Sequence, residues 1–288
     1  MSTIVPMYGF GGGGGTGATL TVNAPAGAVV TVSKDGKSKT KTAGADGLAV
    51  FNGLKSGEWT VTITDGEQTA QKAVTITADY STAITFFSAT INVSYPAGYT
   101  CAATYGDRTF TSPDTNGTWA ITVNEPGTWS FSLDGGTAET VTITTNGEEQ
   151  TLNKWHLYNN GVDNTALTGG LTTSGYKGAS NKWSFNDTNI SVSTGNDVGD
   201  VFGTANKIHM ANVKNGYVRM SSTQNKWGEY FGVSKSKSAD SFIANTKISG
   251  TGNITAAFDA IDVTADVYVL FSATSNSKLK IYEIWLEC

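Results

Sequence analysis

The chain has 288 residues, and its 39% of hydrophobic side chains is enough for packed cores, which excludes a disordered protein. Only 15% of the residues are charged and the formal net charge is −5, so nucleic acid and anionic membranes are disfavoured as partners. The 34 glycines leave no room for a long helix, and no stretch has the roughly 20 apolar residues of a membrane span.

The chain opens with a glycine-rich segment, residues 1–17. This segment contains a G-x-G-x-x-G string, but no predicted strand precedes the string, so a phosphate-binding loop is not expected. Bare glycine backbone can approach another protein closely. We therefore expect residues 1–17 to be an amino-terminal docking segment.

Two imperfect copies of one all-β module follow, at residues 18–88 and 89–153. The copies stay in register because three separate motifs align, residues 18–27 with 89–98, 57–59 with 127–129, and 74–77 with 141–144. A repeat of this kind indicates modules in series. In each copy apolar residues alternate with polar ones over short runs, which is typical of strands with one buried face.

Each copy is predicted to be a small Greek-key sandwich, because about seven short runs are separated by turn signals such as Asp-Gly and Asn-Gly. Trp59 and Trp129 are in phase with the buried face of their runs, so we expect core anchors and not ligand-stacking platforms. Cys101 aligns with the inward-facing Val30 and is expected to be a small core residue.

The motif P-A-G-A-x-V-x-V, followed by D-G and by A-x-F-x-G-L-x-x-G-x-W-x-V-T, runs from Pro25 to Thr62. It resembles the Ig-like modules called carboxypeptidase-regulatory-like or PEGA-like domains. The resemblance covers both repeats and implies two tandem Ig-like β-sandwiches. Because such modules serve widely as spacers and stalks, it implies a fold more than a function.

The composition changes in residues 154–288, where loops rich in Asn, Ser and Gly surround aromatic residues. Eight or so short strands joined by irregular loops are typical of a jelly roll. The strand-like runs are residues 190–193, 207–210, 216–220, 229–233, 253–258, 266–273 and 279–286. The sequence therefore predicts an all-β protein in which two tandem Ig-like β-sandwiches are followed by a jelly-roll β-sandwich.

Residues 157–161, 168–170 and 282–286 resemble domains at the ends of virion proteins from phages of Gram-positive gut bacteria, which look like carbohydrate-binding jelly rolls. The glycine-rich start ahead of Ig-like modules resembles the same phage proteins. The resemblance implies a fibre or decoration on the head, collar or tail of a virion. Such a protein would be made in the bacterial host cytoplasm and would contact other virion proteins through its amino-terminal segment, as a homo-oligomer or in many copies.

Aromatic residues beside amides suggest a shallow site for host cell-wall glycan, because aromatic faces stack on sugar rings while amides bind hydroxyls. The tripeptide Asn-Lys-Trp occurs three times, and we expect a site built from Trp183, Trp227 and Tyr230 with Asn181 and Asn225. The alternative is that these tryptophans plug the ends of the sandwich.

No catalytic or metal motif is evident, so we expect a protein that is not an enzyme and needs no cofactor. His156 and His209 have no suitably spaced partner in the sequence. Loop aspartates can bind structural calcium, although they are more often turn formers. The candidates for calcium are Asp187, Asp197, Asp200, Asp259, Asp262 and Asp266.

Few ionisable groups and modules in series together suggest a spacer or adhesin more than a catalyst. The resemblance to phage virion proteins implies, more narrowly, a non-enzymatic structural protein of a bacteriophage particle, which presents its carboxy-terminal domain outward. Two alternatives remain open from the sequence. One is a bacterial surface adhesin, against which the lack of a recognisable secretion signal and wall anchor counts. The other is a glycan-degrading tail enzyme, which would need two carboxylates facing each other across a cleft.

Overall fold

The computed structural model describes residues 17–66, 68–176, 183–193, 200–223, 229–273 and 278–288. Within these ranges the only α-helix is α1 (Thr165–Thr168), and no helix is long and apolar enough to cross a membrane. The predicted docking segment lies outside the described residues except for Gly17. Contacts divide the chain into two compact units, of which the first ends at Ser88 and the second is Ala89–Cys288.

The first unit is a sandwich of seven strands. They are β1 (Ala18–Asn23), β2 (Val29–Lys34), β3 (Lys37–Thr42), β4 (Leu48–Leu54), β5 (Gly57–Asp65), β6 (Gln68–Ile76) and β7 (Tyr80–Ala83). A three-stranded sheet of order β4-β1-β7 faces a four-stranded sheet of order β3-β2-β5-β6. The inward residues alternate along each strand, as Val30 and Val32 do on β2 and Val61 and Ile63 on β5, and all four are fully buried.

The second unit begins with the same sandwich built again. Its strands are β8 (Ala89–Ser94), β9 (Cys101–Tyr105), β10 (Arg108–Thr111), β11 (Thr118–Val123), β12 (Gly127–Leu133), β13 (Glu139–Ile143) and β14 (Glu149–Leu152). The sheet orders, β11-β8-β14 and β10-β9-β12-β13, repeat those of the first unit strand for strand. In both copies the last strand runs parallel to the first. The structure therefore confirms the duplication and the Ig-like sandwich fold.

The two tryptophans predicted as core anchors are buried, Trp59 with 8% and Trp129 with 3% of its surface exposed. They occupy equivalent places, because Trp59 pairs with Val74 across the sheet and Trp129 pairs with Val141. Cys101 is fully buried, as is its counterpart Val30. These core predictions are confirmed.

The rest of the second unit contains thirteen further strands. They are β15 (Lys154–Asn159), β16 (Val162–Asp163), β17 (Leu171–Thr172), β18 (Trp183–Phe185), β19 (Ile190–Ser193), β20 (Asp200–Thr204), β21 (Ile208–His209), β22 (Asn215–Ser222), β23 (Glu229–Ser234), β24 (Phe242–Ile248), β25 (Gly252–Asp259), β26 (Asp266–Ala273) and β27 (Lys278–Glu287). The first jelly-roll sheet contains β19-β27-β22-β25, extended by β15, β16 and β18. The second contains β20-β26-β23-β24, with β17 and β21 at its edge.

This strand order is that of a jelly roll. Eight strands, β19, β20 and β22 to β27, pair from the outside inward, so that the first lies beside the last and the fourth beside the fifth. That arrangement makes two nested Greek keys. Between the two sheets lie the buried aromatic side chains of Phe202, Phe231, Phe258 and Phe271. The prediction of a terminal jelly roll is confirmed.

The second sandwich and the jelly roll share hydrogen bonds and belong to one compact unit. The indole of Trp155 donates to the carbonyl of Ser94 over 2.7 Å. The amide of Asn212 donates to two carbonyls of the sandwich, Tyr95 at 3.0 Å and Gly117 at 2.7 Å. The domain boundary predicted between residues 153 and 154 therefore lies inside this unit, whereas the one predicted after residue 88 coincides with the division of the chain.

Candidate functional site

The outer face of the first jelly-roll sheet carries a row of aromatic side chains. Trp285 of β27 and Tyr217 of β22 are cross-strand partners, and their rings stack at 5.0 Å with only 5° between their planes. The ammonium group of Lys154 lies 4.2 Å from the Trp285 ring centre. On its other side Tyr217 neighbours Ala257 of β25, which is small and exposed. The residue opposite Tyr217 on this side is therefore too small to cover its ring.

Charged groups hold this row in place. Arg219 donates to the carboxylate of Glu283 over 2.7 Å and lies 5.3 Å from the Tyr282 ring centre. The hydrogen bond from Arg219 is the main reason that the pKa of Glu283 is lowered. A hydrogen bond from the Tyr217 hydroxyl to Glu287 is the main cause of a raised pKa at Tyr217. Tyr217 and Tyr282 therefore each have a charged partner on the sheet.

Farther along the same face lies a groove of about 540 Å³, here called the serine–lysine groove. Its lining residues are Ser184, Ser191, Val192, Ser221, Thr223, Lys278, Leu279, Lys280 and Tyr282. The Ser221 and Tyr282 hydroxyls lie 3.2 Å apart. The polar groups are therefore hydroxyls and ammonium groups, which donate to and accept from sugar hydroxyls. The described lining contains no carboxylate, so it does not form the two-carboxylate arrangement of a glycosidase.

The aromatic row and the groove form one continuous strip along β22 and β27. Tyr217 and Ser221 are on the same face of β22 and four residues apart, which is about 13 Å along a strand. Tyr282 and Arg219 occupy the space between them. A ligand that contacts both ends must therefore be an extended oligomer.

Two of the predicted glycan-binding residues are described, and the structure does not bring them together. Trp183 begins β18 and points between the sheets, with its ring 4.5 Å from that of Phe202 and 5.7 Å from that of Phe271. Only 6% of its surface is exposed, so the prediction of a stacking platform is wrong for Trp183 and the alternative of a core role is correct. Tyr230 is partly exposed on β23 of the second sheet, where it contacts Phe242.

The other three predicted site residues, Asn181, Asn225 and Trp227, lie outside the described residues, and so does Asp197 among the calcium candidates. Of the described aspartates, Asp259 accepts a hydrogen bond from the Ile261 backbone, as a turn former does. Within the described ranges no group of three or more His, Cys, Asp or Glu side chains is placed to hold a metal ion.

Both histidines have a carboxylate partner that the sequence spacing did not reveal. His156 lies 2.7 Å from Glu139, and His209 lies 2.6 Å from Asp266. Sequence analysis also missed Tyr217, Tyr282 and Trp285 as site residues. The sequence predicts a strand-like run at residues 279–286 but no site there, although two aromatic residues on a strand with charged neighbours are a signal for a polar, partly exposed face.

No protein-family model and no curated protein matches this chain. Three similar solved structures are the minor pilin GBS52 of Streptococcus agalactiae, the TIE protein of Bacillus anthracis, and the Bacteroides ovatus mixed-linkage glucan utilisation locus protein SGBP-B in complex with a heptasaccharide.

The pilin is 12% identical, with 47% of this chain and 93% of the pilin covered and a TM-score of 0.31. The TIE protein is 10% identical, with 93% of this chain and 48% of its own length covered and a TM-score of 0.23. The glucan-locus protein is 13% identical, with 92% of this chain and 71% of its own length covered and a TM-score of 0.23. At TM-scores this low, none of the three serves as a guide to the function of this chain.

Proposed function

We propose that this protein is a non-catalytic carbohydrate-binding protein, in which the outer face of the first jelly-roll sheet binds an extended oligosaccharide and the Ig-like sandwiches act as spacers. The strip along β22 and β27 carries this proposal. It combines a stacked aromatic pair with one open ring face, a fixed arginine and a groove lined by hydroxyl and ammonium groups. Apolar ring faces beside precisely held polar groups are what a sugar site requires.

The binding mode follows from the order of groups on the strip. One sugar ring stacks on the open face of Tyr217, and a sugar farther along the chain places its hydroxyls against Ser191, Ser221 and Lys280 in the groove. The site is shallow, so much of the ligand stays in water and the affinity of a single site is low. Many copies on one surface would compensate for this, because tethering raises the effective concentration of the second contact.

The test is titration of the full chain with neutral oligosaccharides of increasing length. Affinity should rise with length until the ligand spans the strip and then level off. Tyr217→Ala should weaken binding by about fivefold, since a ring stack contributes about 1 kcal/mol. Tyr230→Ala is the matched control, because it removes the same ring from the outer face of the opposite sheet. Loss of binding in Tyr230→Ala with retention in Tyr217→Ala would contradict the proposed face.

The location of the protein is a separate prediction. From the sequence resemblance alone we propose that it belongs to a phage particle, where the multimerised jelly roll would contact a host surface, and a bacterial surface adhesin is the alternative. Mass spectrometry of purified particles, with the copy number per particle, distinguishes the two. Recovery from bacterial surface fractions of uninfected cells would instead support the adhesin.

A further inference from the structure

A second pocket lies in the first sandwich, far in sequence from the strip on the jelly roll. Its volume is about 590 Å³, and it lies where the edge strands β3 and β4 of the two sheets face each other. We call it the lysine pocket. Its lining residues are Lys34, Asp35, Lys37, Ser38, Lys39, Gly53, Lys55 and Trp59.

Four ammonium groups and one carboxylate therefore surround a single pocket in a chain whose net charge is −5. Two of the lysines are fixed by backbone carbonyls, Lys34 by Ser56 over 2.6 Å and Lys39 by Asn52 over 2.8 Å. An ammonium group has three donors, so each of these two retains N–H groups for a ligand. Within the described ranges none of the four lysines forms an ion pair.

The second sandwich has the same fold, so its residues at the equivalent positions show which side chains the fold accepts there. Lys37 and Lys55 correspond to Arg108 and Glu125, which form an ion pair of 2.9 Å between their side chains. The first copy thus has two cations where the second has opposite charges. Such an arrangement repels itself unless an anion lies between the cations.

The other two lysines, unlike the first two, have uncharged aromatic counterparts. Lys34 corresponds to Tyr105, which stacks on Trp129 at 4.8 Å and donates to the carbonyl of Pro126. Lys39 corresponds to Phe110, whose ring lies 5.9 Å from that of Trp129. In the second copy, aromatic rings fill the space that ammonium groups border in the first copy. The lysines are therefore not a requirement of the sandwich.

Protection of an edge strand explains only part of this cluster. Lysines on an exposed edge strand prevent pairing with another chain, and the alternate residues Lys37, Lys39 and Lys41 on β3 can do this. Lys34 lies on β2, however, and Lys55 lies in the loop between β4 and β5. Neither is on the edge strand β3, yet both line the same pocket.

We propose that the lysine pocket is a second binding site, which takes an acidic polysaccharide. Lys37 and Lys39 are two residues apart on one strand, about 7 Å, so that repeated negative charges along a polymer can each find a cation. Ser38 supplies a hydroxyl group between the cations for a sugar, and the largely buried indole of Trp59 is part of the pocket wall. The charges are exposed, so the attraction is screened at high ionic strength.

The experiment titrates the full chain with hyaluronan as the acidic probe and dextran as the neutral one. Hyaluronan should bind at low salt and lose affinity steeply as salt is added, and dextran should not displace it. Lys55→Glu should lower hyaluronan affinity at least about tenfold, because it removes a cation and gives Lys37 an internal partner. The same variant should unfold at an equal or higher temperature, since it recreates the charge pair of the second copy.

Two further variants locate the effect. Lys72→Gln removes a cation of the same unit outside the pocket, and Lys280→Gln removes one from the serine–lysine groove, so both should change hyaluronan affinity less than twofold. Unchanged binding in Lys55→Glu, or a loss seen only in Lys280→Gln, would overturn the assignment to the first sandwich. Single-stranded DNA that binds as tightly as hyaluronan and competes with it would overturn the assignment to a carbohydrate.

Discussion

Trp59 and Trp129 occupy equivalent places but differ in one hydrogen bond. The indole N–H of Trp59 donates to the carbonyl of Lys55 over 2.9 Å, whereas the indole N–H of Trp129 is buried without an acceptor among the described residues. A buried donor without a partner reduces stability, while a satisfied one adds about 0.5–1.5 kcal/mol. The repeat therefore offers a controlled comparison of a single polar group in two similar cores.

Replacement of each tryptophan by phenylalanine tests this difference. Both variants lose ring area, but only Trp59→Phe loses a hydrogen bond, and Trp129→Phe removes an unsatisfied donor. We expect Trp59→Phe to lower the free energy of unfolding by about 1–2 kcal/mol more than Trp129→Phe does. Denaturant unfolding of the full chain measures both values. Equal losses in the two variants would contradict the explanation.

Glu148 gives a prediction about pH. Its carboxylate accepts hydrogen bonds from the Gln150 side chain at 2.6 Å and the Thr144 and Thr145 backbones at 2.7 and 2.9 Å. The bond from Gln150, followed by that from Thr144, lowers its pKa from 4.5 to about 2. Because the pKa is lower in the folded state, this stabilisation is complete above pH 4.5 and disappears as the pH falls through about 2.

Comparison of the wild-type chain with Glu148→Gln checks the sign of this effect. The variant should melt at a lower temperature at about pH 7, and the two proteins should converge as the pH approaches 2. A difference that grows with acidity would show that the carboxylate does not hold the turn between β13 and β14.

At the scale of elements, one loop residue contributes two of the hydrogen bonds at the junction between the second sandwich and the jelly roll. Asn212 has a φ of 73°, a left-handed conformation that asparagine tolerates better than most residues, and its amide binds two carbonyls of the sandwich. Asn212→Ala should cost about 1–3 kcal/mol of unfolding free energy, because both bonds and the favourable backbone preference are lost. Asn212→Gly separates the two contributions, since glycine keeps the backbone preference and loses only the bonds. A smaller loss in Asn212→Ala than in Asn212→Gly would contradict this account.

Sequence analysis found strands with a clear buried face, and two of the strands that it missed lack that signal. The runs predicted at residues 190–193 and 266–273 coincide with β19 and β26. Every residue of β3 is exposed, so no apolar alternation marks it. β24 alternates only between partly buried and exposed residues until Ile248, and it too was missed. An edge strand can be identified only from the strands that pair with it, and those strands can be distant in sequence.

The candidate site was misplaced for a related reason. Whether an aromatic residue on a strand faces the core or the solvent depends on the pairing register, and a shift of one residue reverses it. A register irregularity opposite Tyr282 shifts the pairing of β22 with β27 between Arg219 and Met220. Composition alone therefore could not separate Trp285, on the outer face, from Trp183, in the core.

At the scale of the whole molecule, the division of the chain predicts two unfolding transitions, one for residues up to Ser88 and one for Ala89–Cys288. Trp59→Ala should lower the temperature of the first transition only, and Trp129→Ala that of the second only. Each variant should reduce the unfolding free energy of its unit by the 3–5 kcal/mol typical of large core deletions. Differential scanning calorimetry of the full chain resolves this. A third transition, belonging to the jelly roll alone, would show that the shared hydrogen bonds do not couple it to the second sandwich.

The position of β27 has a consequence for folding during synthesis of the protein. This strand pairs with β15 and β19 along one edge and with β22 along the other, so the middle of the first jelly-roll sheet is translated after the other strands of that sheet. At typical rates of synthesis, about 5–20 residues per second, β15 waits on the order of 10 s for its central partner. During that interval the nascent chain exposes open strand edges and apolar faces while the first sandwich can already be complete. An unfinished jelly roll therefore needs protection while it is on the ribosome, and translation that stalls before residue 278 should yield aggregates and not a smaller folded domain.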